Sequence, residues 1–276
     1  MRHLSILSFL LFSFLVSCST STTEETNGPN TESKENITEA TSPKKHSNEN
    51  VFVASVEEAH QRAAFLTKKA IQFDILLSFG GKERLNGTIL VTTDSRQAVT
   101  TYKNGEKLYY NEDNVYHAPT MENAKRARFN AYTWPYFALF PYKLSDPGTN
   151  WSAYEQTSLN EKEYLSQKLS FDAGTGDDPG DWYIVYADKE THLIDVAAYI
   201  VTAGKTQAEA EEDPHAIQYK DYTMVDGIPI PQRWIFWEWR KEGGLTKELG
   251  SAAISNIKFV EADEKTFVAP DNFTEL

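Results

Sequence analysis

Hydrophobic residues recur at two different spacings along the chain, and the spacing changes near residue 70. Before that point the apolar positions follow a helical period: Val56, Ala59, Ala63, Leu66 and Ala70. Ser55 and Glu58 have the separation of a capping box, which predicts a helix start near Ser55. From residue 71 to residue 79 the period is two, which predicts a strand with Phe73, Ile75 and Leu77 on one face.

Strand-like runs continue through most of the remaining chain. They lie at 88–93, 96–102, 106–110, 113–117, 151–157, 162–171, 181–187, 192–202, 216–225, 232–240 and 249–261. Four dipeptides are typical of tight turns: Gly80-Gly81, Asn86-Gly87, Asn104-Gly105 and Asp226-Gly227. Residues 121–142 have a helical pattern. Residues 204–214 form a polar stretch that interrupts the succession of strands. About eleven or twelve strands with short connections predict a single β sandwich or barrel over 51–276.

Several strands are apolar on both faces, which a sheet with one solvated face would not be. In 233–239, Trp234 and Phe236 point one way, and Ile235, Trp237 and Trp239 point the other. Something must therefore cover both faces. A sheet curled around an interior, with helices or a ligand inside the curve, would satisfy this requirement.

Aromatic side chains are concentrated in residues 132–142, a stretch that we call the aromatic segment. It combines six rings with two prolines. One interpretation is that the segment packs into a large core. The other is that it forms a lid over an apolar cleft, where amphipathic rings suit a mouth that is apolar inside and wet outside.

The first 17 residues read as a signal peptide. Arg2 precedes an apolar run that is too short to span a bilayer, and the run ends Leu15-Val16-Ser17-Cys18. This is the pattern of a lipobox, and Cys18 is the only cysteine of the chain. We predict that Cys18 is the lipid-bearing N-terminus of the mature protein. The alternative is an ordinary signal peptide with a coincidental cysteine.

Residues 18–50 read as the lipidated cysteine and a disordered tether, because polar residues, Gly and Pro dominate and Ile37 is the only large apolar side chain. Ser19 after the cysteine favours the outer membrane of a Gram-negative bacterium, with the domain facing the periplasm or the cell surface. The net charge of −13, from 40 acidic and 27 basic residues, leaves no basic patch for nucleic acid.

Candidate catalytic and metal-binding groups are sparse. His192 with Asp195, and His215 beside Asp213, are the histidine–carboxylate pairs that a hydrolase would need, although the first pair faces opposite sides of a strand. The acidic loop 172–181 has the oxygen ligands and glycines of a calcium loop but not the final glutamate of an EF-hand. We expect no cofactor, no resident metal and no catalytic residue.

Three stretches carry a family resemblance: 181–188, 219–231 and the aromatic segment. The sequence Tyr222-Thr-Met-Val-Asp-Gly-Ile-Pro-Ile-Pro231 resembles the late strand–turn–strand of the LolA/LolB/LppX-like superfamily. Residues 51–276 are similar to uncharacterised bacterial envelope lipoproteins in or near that superfamily. The resemblance implies a mainly β fold with a few helices: a curved antiparallel half-barrel of about eleven strands, with helices on its concave side. Members with known roles hold acyl chains or other lipids in that cavity.

These observations favour a membrane-anchored, non-enzymatic lipoprotein that binds a lipid or other apolar ligand in a curved-sheet cavity. The candidate cavity and lid residues are Phe73, Ile75, Leu77, Tyr132, Trp134, Tyr136, Phe137, Phe140, Trp234, Phe236, Trp237 and Trp239. The first alternative is a scaffold or assembly lipoprotein with a solid core, acting through contacts with another protein. The second is a hydrolase.

The lipobox generates the first testable prediction. Cys18→Ala should leave the protein unlipidated and release it from membrane fractions under mild conditions, because the acyl chains supply the membrane affinity. Fractionation combined with intact-mass measurement checks both effects. A variant that stays entirely with the membrane would show that the anchor is assigned wrongly.

Overall fold

A computed structural model describes residues 50–112, 114–121 and 126–276. The signal peptide, Cys18 and nearly all of the predicted tether lie outside these residues. Among the residues that the structure describes, no helix is both long and apolar enough to cross a bilayer.

Fourteen strands and four α-helices make up the described chain. The strands are β1 Ala70–Phe79, β2 Lys82–Thr92, β3 Gln97–Tyr102, β4 Lys107–Asn111, β5 Asn114–His117, β6 Thr149–Ala153, β7 Ser158–Leu159, β8 Lys162–Phe171, β9 Tyr183–Asp188, β10 Ile194–Tyr199, β11 His215–Val225, β12 Ile228–Arg240, β13 Gly244–Val260 and β14 Thr274–Glu275. The helices are α1 Val51–Ala59, α2 Arg62–Phe65, α3 Ala127–Leu139 and α4 Gln207–Glu212. Short 3₁₀ turns follow at Phe140–Tyr142 and Glu264–Phe267.

All the strands join one open, curved antiparallel sheet. Its order is β14-β5-β4-β3-β2-β1-β13-β12-β11-β10-β9-β8-β6, with β7 paired to β8. Most neighbours in space are also neighbours in sequence. The long-range pairing that joins the two halves is β1 with β13, which runs from Ala70 opposite Val260 to Phe79 opposite Gly250. The predicted curved half-barrel with a few helices is confirmed.

The sheet carries an apolar core on each face. The larger core fills the concave side, where side chains of β1, β2 and β8–β13 meet α1, α2 and α3. The smaller core lies on the opposite face of β8–β12 and includes Tyr164, Tyr186, Val196 and Trp239. The two-sided apolar pattern of these strands therefore reflects two covered faces, as predicted.

The predicted N-terminal helix differs from the observed one in both its start and its length. Asn50 is the N-cap, because its side-chain oxygen accepts from the backbone N–H groups of Phe52 and Val53. Ser55 lies inside the helix and donates to the carbonyl of Phe52 instead of capping. Gln61 is left-handed (φ 57°) and separates α1 from α2, so the helical spacing to Ala70 does not mark one continuous helix.

The predicted turn at Asn86-Gly87 is wrong, because both residues lie within β2. Gly87 stands opposite Tyr102 of β3, and a Cβ placed on it would come within 2.2 Å of the Thr101 carbonyl oxygen. Glycine is needed at this position because the two strands approach too closely for a side chain. The other three glycine turns are confirmed by positive φ angles, for example 51° and 82° at Asp226-Gly227.

Gly87→Ala should therefore destabilise the fold by about 2 kcal/mol, because β2 and β3 must separate to admit the methyl group. Gly243→Ala is the matched control. The Cβ at Gly243 would meet side-chain atoms and no backbone, Thr246 at 3.1 Å and Arg240 at 3.6 Å. Urea denaturation of both variants measures the difference, and equal midpoints would contradict the close approach described here.

Candidate functional site

The aromatic segment forms most of α3 and the 3₁₀ turn after it. Pro135 lies inside the helix and has no N–H to donate. Its side chain and those of Ala131, Trp134, Phe137 and Leu139 are buried against the concave face of the sheet. The segment is therefore a helix laid over the concave face of the sheet, a position that both the core and the lid interpretations allow.

The structure brings ten of the twelve candidate residues together on the concave side. Eight are buried there and two, Tyr132 and Tyr136, are partly buried at the margin; the buried eight are Phe73, Ile75, Leu77, Trp134, Phe137, Phe140, Trp234 and Phe236. Ring contacts connect α3 to the strands beneath it. The Phe137 ring lies 5.1 Å from Tyr199 and 5.9 Å from Phe236, centroid to centroid.

Trp237 and Trp239 do not belong to this group. They lie in the smaller core on the opposite face, where Trp239 is 6.2 Å from Trp182. Successive side chains of a strand point to opposite faces, so a cavity that contains Trp234 and Phe236 cannot also contain these two indoles. Including them among the cavity residues was an error.

The turn between β7 and β8 covers this second face. Leu159 is buried against Tyr164 and Trp239. Asn160 fixes the turn on β13, since its side chain donates to the Leu245 carbonyl (3.1 Å) and accepts from the Leu245 N–H (2.8 Å). This turn therefore covers part of the convex face.

Most of the side chains between α3 and the sheet are buried. Two grooves occur elsewhere on the surface. One, of about 500 Å³, is lined by Phe52, Tyr164 and His192 among others. The other, of about 320 Å³, lies beside Gly80 and Gly250. Neither groove is lined by any of the twelve candidate residues, so an apolar ligand beneath α3 would have to take the place of α3 side chains.

Buried tyrosine hydroxyls attach the helical segment to the sheet. Tyr219 donates to the carbonyl of Phe137, and Tyr142 donates to the carbonyl of Pro229, each at 2.8 Å. Burial raises the pKa of both phenols above the usual value, so both stay protonated and able to donate. These two bonds supplement the ring contacts.

The sequence does not predict the ion pair between Arg128 and Asp177 at the start of α3. The Nε of Arg128 lies 3.1 and 3.2 Å from the two carboxylate oxygens of Asp177, and the guanidinium also stands over the Tyr132 ring. Asp177 belongs to the acidic loop 172–181. This loop therefore holds the N-terminal end of α3, a role that no local motif indicates.

The carboxylates of the acidic loop face different protein partners. Asp172 accepts from Asn150, and Asp181 accepts from the backbone N–H and the hydroxyl of Thr202. In the part of the chain that the structure describes, no three His, Cys, Asp or Glu side chains converge as metal ligands. The arrangement gives no support to the calcium interpretation of this loop.

The structure also shows the surroundings of the two histidine–carboxylate pairs. Asp195 accepts from Tyr164 (2.8 Å), Lys162 and Lys220, which accounts for its carboxylate without His192. The Nε2 of His215 lies 3.8 Å from Asp213, and burial lowers the pKa of the imidazole. These contacts stabilise the surface and give no support to the hydrolase alternative.

The curved antiparallel sheet with helices over its concave side is a LolA-like fold. A LolA superfamily protein from Nitrosomonas europaea is similar in structure, with a TM-score of 0.53 and 11% identity, over 78% of this chain and 97% of that one. A putative outer membrane lipoprotein-sorting protein domain from Vibrio parahaemolyticus has a TM-score of 0.48 and 10% identity, over the same 78% and 97%. The first of these likenesses establishes the fold.

The chain belongs to a family of unknown function, DUF6503, whose model matches residues 5–226. No curated protein matches the sequence.

The environment of Asp181 generates a pH-dependent prediction. Burial raises the pKa of this carboxyl to about 6, despite its hydrogen bonds from Thr202. Folding therefore favours the protonated form, and the group's contribution to stability falls as the pH rises from about 4 to about 6. Asp181→Asn keeps the acceptor for Thr202 and removes the charge. It should be more stable than the wild type at pH 7, by on the order of 1 kcal/mol because the group is partly solvated, and equal to it below pH 4.

Asp188→Asn supplies a control of opposite sign. Backbone N–H groups of residues 190 and 191 and the Lys162 ammonium lower the pKa of Asp188, so its loss should reduce stability at pH 7. Thermal melts across this pH range check both variants. A difference between Asp181→Asn and the wild type that does not change with pH would contradict the assignment.

Proposed function

We propose that this protein is an envelope lipoprotein that binds an apolar, acyl-type ligand between the concave face of its sheet and α3. The observation that carries the proposal is the composition of that face. It is a continuous apolar surface, rich in aromatic rings, and one short helical segment covers much of it. The fold shared with a LolA superfamily protein supports this choice over a catalytic role.

Ligand entry would exchange one apolar contact for another. Trp134, Phe137 and Phe140 occupy the volume beneath α3, and their burial contributes roughly 25 cal/mol per Å² of apolar surface. An acyl chain that displaces them offers surface of the same kind. The net free-energy cost of moving α3 is then the apolar burial that its side chains lose minus the apolar burial that the acyl chain gains. This difference is smaller than the cost of exposing the core to water.

The attachments of α3 are compatible with such an exchange. Its N-terminal end is held by a partly exposed ion pair, Arg128 with Asp177, and such pairs contribute only about 0–1 kcal/mol. Its middle is held by ring contacts and by the bond from Tyr219 to Phe137. Pro135 further reduces the hydrogen bonds within the helix.

The anchor belongs to the same proposal. Residues 1–17 would be removed as a signal peptide, Cys18 would carry the lipid, and residues 18–50 would connect it to the domain 51–276, at the outer membrane. These assignments rest on the lipobox and the polar composition of the following segment. Residues 1–49 lie outside the described part of the chain.

A second candidate is the scaffold lipoprotein with a solid core. The burial of Trp134, Phe137 and Phe140 favours it, since these side chains already occupy the concave core. In this case α3 is a permanent part of the core, and the protein acts through its outer surface.

Titration of the purified Cys18→Ala chain with the neutral apolar fluorophore N-phenyl-1-naphthylamine separates the two candidates. The ligand proposal expects saturable binding. Phe137→Ala should raise the affinity roughly five- to tenfold, because an emptied apolar site accepts an apolar guest. Trp237→Ala, on the opposite face, is the control and should leave the affinity unchanged.

The scaffold candidate expects a different pattern. Phe137→Ala would cost about 3–5 kcal/mol of stability, measured by denaturation, without creating saturable binding. A folded protein that binds no apolar probe, with or without Phe137, would overturn the ligand proposal. Organic extraction of natively purified protein followed by mass spectrometry tests the same point by looking for a co-purified lipid.

A further inference from the structure

The groove of about 500 Å³ beside α1 takes no part in the proposed function. Its walls come from three separate parts of the chain: the start of α1, residues 164–167 of β8, and the turn between β9 and β10. Sites for single small molecules have volumes of roughly 300–1,000 Å³, so the groove is large enough to hold one. None of the rings that pack beneath α3 lines it, so it is a different location from the one that the proposed function uses.

Part of the groove wall is apolar. Phe52 and Tyr164 are almost fully buried, at 8% and 4% exposure, and Leu165 is partly buried. Val51 is 79% exposed, the largest value among the exposed large hydrophobic side chains of the described residues. An apolar group that lies in the groove would remove the surface of Val51 from water, which favours binding.

The charge that lines the groove has one sign. Lys189 is the only permanently charged side chain of the lining, and none of the described residues that line the groove is Asp or Glu. The chain as a whole has the opposite balance, with 40 acidic and 27 basic residues. A cation next to an apolar wall, without a lining carboxylate, complements a ligand that has an apolar body and an anionic head group.

Lys189 is available to such a head group. Its Nζ lies 3.3 Å from Glu163 Oε2, and the two side chains are 48% and 56% exposed. An ion pair this exposed is weak, and the ammonium group has three N–H donors, so Lys189 can bind a ligand as well. The neighbouring carboxylate of Asp188 is held by Lys162, at 3.0 Å.

His192 supplies a second donor from the same turn. Its backbone is left-handed (φ 57°), and its backbone N–H donates to the Asp188 carbonyl (2.9 Å). Glycine adopts this conformation with less strain, so the turn by itself does not call for an imidazole. The His192 ring lines the groove with Lys189, where its N–H can donate to an anion.

We propose that this groove is a second binding site, which holds a single-chain anionic amphiphile. The apolar chain lies against Phe52 and Leu165, and the carboxylate, sulfonate or phosphate head group binds Lys189 and His192. A groove of this volume has room for one chain, so the ligand is a free amphiphile and not a two-chain lipid of a membrane surface. This site goes beyond the proposed function and does not depend on it.

Two probes with the same aromatic body test the site on the Cys18→Ala chain: 8-anilinonaphthalene-1-sulfonate, which is anionic, and N-phenyl-1-naphthylamine, which lacks the sulfonate. Lys189→Glu should weaken saturable binding of the sulfonate about tenfold, because it reverses the charge at the head group, and should leave any binding of the neutral probe unchanged. Lys247→Glu is the matched control. Lys247 is also exposed and paired with one carboxylate, Glu238 at 3.4 Å, but does not line the groove, so this variant should bind both probes as before.

His192→Gly provides a variant that the fold should accept, because glycine suits the left-handed backbone at this position. It should also weaken binding of the sulfonate probe. Methyl NMR signals of Val51 should shift when that probe is added to the parent chain, which locates the probe in the groove.

The opposite results are equally clear. Equal affinity of Lys189→Glu and Lys247→Glu for the sulfonate probe, or Val51 methyl signals that do not move, overturns the second site. Cosedimentation with phosphatidylglycerol vesicles that is lost in Lys189→Glu assigns the groove to a membrane surface and overturns the choice of a free amphiphile. Failure of the neutral probe to bind concerns only the site beneath α3 and leaves the groove to be judged by the sulfonate probe.

Discussion

Strands β8 to β12 are apolar on both faces, and the rest of the structure follows from the need to cover each face. A single sheet layer would expose one of them to water, at a cost proportional to its apolar area. On the concave side, α1, α2 and α3 close the core. On the convex side, the β7–β8 turn covers part of the smaller core, and the paired hydrogen bonds between Asn160 and Leu245 fix the turn to β13.

This arrangement gives α3 two roles that oppose each other. The ring contacts that complete the concave core are the same contacts that an apolar ligand would have to replace. A ligand shifts such an equilibrium only by its differential affinity for the opened state.

Much of the sheet was predictable from local pattern, because the alternation of apolar residues and the glycine turns are themselves local properties. The exceptions have local explanations as well. Asn86-Gly87 resembles a turn, but Gly87 is required for close strand contact. The first helix ends at Gln61, whose left-handed backbone interrupts an otherwise helical spacing of apolar residues. The two-residue strands β7 and β14 are too short to leave a periodic signal.

By itself, the sequence indicated which strands are apolar on both faces, that both faces must therefore be covered, and that the aromatic segment is either part of the core or a lid. It could not determine what covers each face. The pairing of Arg128 with Asp177 spans 49 residues, and the exclusion of Trp237 and Trp239 from the concave core depends on which face curves inward. Periodicity encodes the side on which a residue lies, whereas partners across long sequence separations are fixed only when the chain has packed.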